Sequence, residues 1–233
     1  MTDKAATEAF NKAQSRALAS AGTWFITEYP KLLVQSRPFS TTWEAYRSTS
    51  VGHHIRGASL SALQRGSSAC IMFYGQSWIA NVLGSPTSSA TANAGLAGFI
   101  SGGASSFVHT IFEPMKIRQE SFSFDVYRKS LVPMFWRHAL FDTAFFATNA
   151  ALIDQAYSVQ FGVSALVASC VNLIHDVWKT RVIQGLPKRL SFVTVLRSLS
   201  TVEYTKQLCW KSIDLGANWF ATGVLYSHLF ATS

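Results

Sequence analysis
The sequence predicts an all-α protein of six long helices arranged as three helical hairpins, polytopic in a membrane, with a soluble all-α protein as the alternative. Two observations carry that expectation, and composition agrees with it. A short cluster occurs three times: Ile26-x-Glu28-x-x-Lys31, Ile111-x-Glu113-x-x-Lys116 and Ile174-x-Asp176-x-x-Lys179. Each copy closes a long apolar stretch with small residues four apart: Ala13, Ala17 and Ala21 before the first, Gly98 and Gly102 before the second, Ala165 and Ser169 before the third. A repeat of this shape sets the architecture before any local detail does. Charged residues make up only 14% of the 233, while the apolar ones lie in long runs such as 96–112 and 141–152. None is the pure stretch of about 20 apolar residues that marks a simple membrane helix. Small, hydroxyl and occasional charged residues within such runs suit a polytopic protein with a wet interior.

In chain order, a first helix is expected over 6–35, with Pro30 inside its cluster and Pro38 marking the exit. Residues 41–47 suit a short surface helix, with Trp43 and Tyr46 at an interface. A second long helix covers 53–83 and stops at Gly84-Ser85-Pro86. The third covers 92–119 and the fourth 130–157, after a short connection. The fifth covers 162–183 and is closed by Gly185-Leu186-Pro187. A short helix near 190–199 and a sixth long one near 206–230 complete the chain. Each even-numbered long helix carries one base at a comparable place after its cluster, namely Arg65, Arg137 and Lys211. The second of these units is shorter in its connecting loop. Residues 1–233 thus read as a single domain in three repeats: 1–88, a shortened 89–159, and 160–233.

The net charge of +8 points to an acidic partner, either anionic lipid or an anionic solute. No basic run interleaved with aromatics is present, which places nucleic acid last. Cys70, Cys170 and Cys209 have no metal spacing and suggest no disulfide framework. Met1–Ala21 contains Asp3 and Glu8 and lacks the apolar core of a secretory signal. His53-His54 is too isolated for a metal site, and Asp142, Asp214, His138 and His228 suit polar links inside a bundle. With no phosphate loop, nucleophile elbow or metal pattern, the sequence offers no residues for an enzyme.

Together these features resemble the mitochondrial carrier family, whose repeat signature is Pro-x-Asp/Glu-x-x-Lys/Arg. The resemblance covers nearly the whole chain and is strongest at His175-Asp-Val-Trp-Lys-Thr-Arg181. Ile26-Thr-Glu-Tyr-Pro-Lys31 with Gln35 is similar to the motif of tricarboxylate carriers, and Arg56–Arg65 to the start of a carrier's second helix. The resemblance implies six transmembrane helices with pseudo-threefold symmetry in the mitochondrial inner membrane, around a central water-filled cavity. It implies that Glu28, Glu113 and Asp176 pair with Lys31, Lys116 and Lys179 of neighbouring repeats, closing the matrix end, with Gln35 as a glutamine brace. It further implies an anion-binding cavity at Arg65, Arg137 and Lys211, close helix packing at Gly98 and Gly102, no metal, no cofactor, and bound cardiolipin.

Two departures from the family bear on function. Ile26, Ile111 and Ile174 stand where the signature prolines would be. The second, cytoplasmic set of acid–base pairs is replaced by Trp78 and Asn81, Ala150 and Ile153, Val224 and Ser227. Alternating access needs two closed states of similar free energy, and only one gate keeps its ion pairs here. The leading expectation is therefore a carrier-like protein that no longer transports. It would serve as a structural or accessory subunit of a respiratory-chain or ATP-synthase assembly. The competing expectation is a divergent antiporter of a di- or tricarboxylate or a phosphate-bearing anion.

Overall fold
The computed structural model describes residues 3–36, 51–83, 89–118, 121–183, 191–198 and 201–229. All seven elements among them are helices: α1 (Asp3–Ser36), α2 (Val51–Leu83), α3 (Ala90–Arg118), α4 (Phe124–Ala151), α5 (Tyr157–Ile183), α6 (Phe192–Ser198) and α7 (Thr201–Leu229). The expected surface helix at 41–47 lies outside the described residues.

The expected six transmembrane helices are not supported, and the fold class is corrected accordingly. Among the described residues only α5 is both long enough and apolar enough to cross a membrane. The other long helices fail on composition rather than length. Helix α1 carries Glu8, Lys12, Arg16, Glu28 and Lys31, and α4 carries Asp125, Arg128, Lys129, Arg137 and Asp142. In α3 the apolar run is diluted by Ser, Thr, Asn and Gly. What stands is an all-helical bundle with one span-length apolar helix.

The six long helices close into a ring in chain order, α1 against α2, α2 against α3, and so on to α7, which returns to α1. The short α6 packs on α5, where Phe192 stacks on His175 at 4.7 Å and meets Trp178 edge-on. The turn from α4 to α5 has neither Gly nor Pro. Leu152 N–H donates to the carbonyls of Thr148 and Asn149, and the Gln160 amide donates to those of Ile153 and Gln155. That side-chain clasp ends α4 six residues earlier than its sequence suggests.

Close packing follows the small residues. A Cβ on Gly98 would lie 2.5 Å from the backbone oxygen of Asp142, and one on Gly102 would lie 2.6 Å from that of His138. The α3 and α4 backbones therefore touch at both glycines, and neither obstacle is a side chain that could swing away. Gly98→Ala is expected to cost about 1–3 kcal/mol through overpacking, read as a lowered thermal midpoint of the intact protein. Gly22→Ala, whose Cβ would meet nothing within 4 Å, is the matched control.

The bundle's inside is as polar as it is apolar. Ser20, Ser61, Gln64, Ser101, Ser106, Thr110, Ser164 and Thr222 are all buried, alongside a core of alanines and aromatics. Outside, Leu96, Ile100 and Phe107 of α3, Val163, Val167 and Val171 of α5, and Ile213 and Phe220 of α7 are exposed.

Candidate functional site
Helical spacing delivers a set of ionisable and amide side chains to the bundle interior. His109 and Glu113 sit one turn apart on α3, His138 and Asp142 one turn apart on α4, and Asp176 and Lys179 three apart on α5, so each pair shares a face. Gln64 and Arg65 enter from α2. Lys179 is buried and reaches Glu113 Oε1 at 2.7 Å and Asp176 Oδ1 at 3.1 Å. Arg137 Nε donates to the same Asp176 oxygen at 2.9 Å. The Gln64 amide donates to Glu113 Oε2 at 2.8 Å and lies 2.6 Å from His109 Nδ1. An amide N–H can only donate, so His109 Nδ1 accepts.

The two imidazoles, His109 and His138, stack face to face at 3.6 Å. Arg137 Nη1 donates to His138 Nε2 at 2.7 Å, which closes the circuit back to Asp176. Glu113 and Asp176 meet Lys179 and Arg137 in these ion pairs. The network has partners on four helices, so it ties α2, α3, α4 and α5 together at one level. Burial, reinforced by His109 and Arg137, holds His138 well below the ordinary imidazole range.

Asp142 lies on α4, and its Oδ2 is buried without a hydrogen-bond partner. Burial pushes its carboxyl well above the usual range, against the pull of Arg137 and Arg65. The fold thus favours the protonated acid. Its contribution to stability is complete below the unfolded value of about 3.9 and is lost as pH rises through the folded-state value. Asp142→Asn should remove this penalty. Thermal midpoints of the two proteins measured across pH should diverge in the variant's favour as pH rises. Within that window the difference should grow by up to about 1.4 kcal/mol per pH unit.

Beyond this layer, Arg65, Arg137, His109, His138 and Asp142 line a cavity with Ser20, Ser68 and Ser105. Its volume is about 10 Å³, room for roughly one water. Above it the bundle is filled by aromatics. Phe73 of α2 stacks on Phe161 of α5 at 5.7 Å and meets Trp219 of α7 at 6.2 Å. Phe145 of α4 lies 5.0 Å from Trp219 and 6.0 Å from Phe161. Phe73, Phe145 and Phe161 are almost completely buried.

Of the residues singled out in the sequence, the structure brings Glu113, Asp176, Lys179 and Arg137 into one network, with Arg65 on the adjoining cavity. Glu113 and Lys179 lie in different sequence repeats. Asp176 instead pairs with Lys179 of its own cluster and with Arg137 of an even-numbered repeat helix. Arg137, expected in an anion-binding cavity, makes an ion pair with Asp176 at 2.9 Å. The side chains of Glu28, Lys31, Gln35, His53, His54, Lys116, Lys211 and Asp214 lie outside the described residues. His228 is exposed, as are Trp78, Asn81, Ile153 and Val224 of the expected second gate. Gln64, His109, Arg16 and the aromatic fill were not anticipated. One turn separates His109 from Glu113, which was the available signal for that pair. Among the described residues, no group of three or more His, Cys, Asp or Glu is placed to hold a metal ion. No family model matches this sequence, and no curated protein matches it.

Proposed function
We propose that this chain is a carrier-related, transport-degenerate protein, retained as a structural or accessory subunit of a large assembly in the mitochondrial inner membrane. The observation that carries the reading is the filled interior. A cavity of about 10 Å³ lies between an ion-pair network and an aromatic plug, whereas pockets for small molecules start near 300 Å³. Among the described residues, the ion-pair network and the aromatic plug lie on either side of that cavity. The positions of the expected second gate offer no charges, and Trp78 and Ile153 point outward.

Exposed apolar side chains on α3, α5 and α7 supply the complementary argument. Surfaces of this kind require apolar cover, which lipid around α5 and the faces of neighbouring subunits would provide. The net charge of +8 suits anionic lipid, and bound cardiolipin belongs to the same proposal. The three acid–base clusters support kinship with mitochondrial carriers.

Reconstitution tests this reading. Liposomes containing the purified protein and loaded with citrate, malate or phosphate should exchange no more solute than protein-free vesicles. Exchange that is present in the wild type and lost in Arg65→Ala would instead make the chain an antiporter of a small anion.

A further inference from the structure
Arg16 of α1 stands apart from the other interior bases. Its guanidinium carbon lies 4.8 Å from the centroid of Phe73, 5.3 Å from that of Tyr226 and 6.0 Å from that of Phe161. These rings come from α2, α7 and α5. Its Nε is buried without a hydrogen-bond partner. The head is therefore held by ring faces, whose negative quadrupoles attract a cation most strongly where water is excluded. All three rings are almost completely buried, and they belong to the aromatic plug. Tyr226 is braced edge-on by Tyr157 at 5.0 Å, and Phe10 of α1 meets Tyr74 of α2 at 5.7 Å.

We propose that Phe73, Phe161 and Tyr226 form a binding cage for an organic cation of the guanidinium class, occupied in cis by Arg16. Guanidinium suits the cage better than ammonium because it is flat, delocalised and weakly hydrated, so it stacks on rings at low desolvation cost. The position of the contact gives it a consequence. Helices α1 and α7 are the first and last of the ring and meet only by closure, without a connecting loop. Arg16 reaches from α1 onto Tyr226 of α7, so the tethered cation latches that seam and seats the plug. The side chain of Arg16 is only partly buried, which leaves a route into the cage when the arginine is removed. The latch operates in the isolated chain, whatever assembly the chain joins.

The test is chemical rescue of the full-length protein in detergent, read by thermal unfolding. Arg16→Ala empties the cage and should lower the midpoint by several degrees. Millimolar methylguanidinium should then raise the midpoint of Arg16→Ala and leave the wild type unmoved, whereas urea and matched sodium chloride should do neither. Equal effects of methylguanidinium on both proteins would overturn the proposal. Where Arg16→Ala is too unstable to purify, Arg16→Lys and Arg16→Met decide. Lysine keeps a cation and methionine keeps only the apolar stem. Lysine should be the more stable of the two, and a methionine variant equal to or better than lysine would show packing alone and contradict the cage.

Discussion

Lys179→Met is expected to destabilise the bundle by about 3–5 kcal/mol, the cost of breaking a buried pair by removing one partner. The ammonium is shared between Glu113 of α3 and Asp176 of its own helix. Without it, Glu113 keeps only the Gln64 amide among the contacts described above, and Asp176 keeps Arg137. The expected readout is a drop in thermal midpoint of about 10 °C. Much of that cost belongs to the carboxylate that loses its ammonium partner rather than to the pair itself. Lys179→Met combined with Glu113→Gln should therefore be more stable than Lys179→Met alone. A double variant that simply adds the two single losses would show that the residues act independently, contrary to the geometry.

Phe73→Ala is the second large effect. The ring touches Phe145, Phe146, Phe161 and Trp219, and Arg16 lies over its face. Truncating a buried phenylalanine costs about 3–5 kcal/mol through lost transfer energy and the cavity left behind. The loss should be at the upper end here, because neighbours from α4, α5 and α7 are held by one another and cannot collapse inward. Phe73→Leu, which keeps most of the volume, should recover more than half of the loss. Differential scanning fluorimetry of the three proteins checks this ordering. On the proposed reading, opening the plug should not create solute exchange, since the ion-pair network remains on the far side of the cavity. Exchange gained by Phe73→Ala would identify the plug as a gate rather than as filling.

The parts of the fold that were legible were those set by local rules. The long helices were marked by their apolar runs and by Gly and Pro at their ends, and α2, α3 and α6 start and stop within about two residues of expectation. The α4–α5 turn was not legible, because its stop signal is the Gln160 side chain folding back on carbonyls rather than a breaker residue. The membrane reading failed at five of the six expected spans for a related reason. Small and hydroxyl residues let helices pack closely, but they lower the hydropathy that marks a span, so only α5 retains it. Gly98 and Gly102 were readable as a packing pair from spacing alone, whereas their backbone partners on α4 were not. In the site, the acid–base clusters pointed to Glu113, Asp176 and Lys179. The involvement of Arg137 needed knowledge of which helices are neighbours. Gln64, His109 and the stacked imidazoles carry no periodic signature, since an amide or imidazole inside a helix reads the same whether it faces a partner or solvent. The aromatic plug was hidden for the opposite reason. With 17 phenylalanines in the chain, no one of them stands out until three helices bring theirs to one level against Trp219 of a fourth.

Native electrophoresis of mildly solubilised mitochondria, with mass spectrometry of the band that contains this chain, tests the central claim most directly. A retained structural subunit is predicted to migrate with a large respiratory or ATP-synthase assembly, and to shift with it when that assembly is dissociated. Migration as a lone particle near the 25.6 kDa mass of the chain plus its detergent would contradict the account.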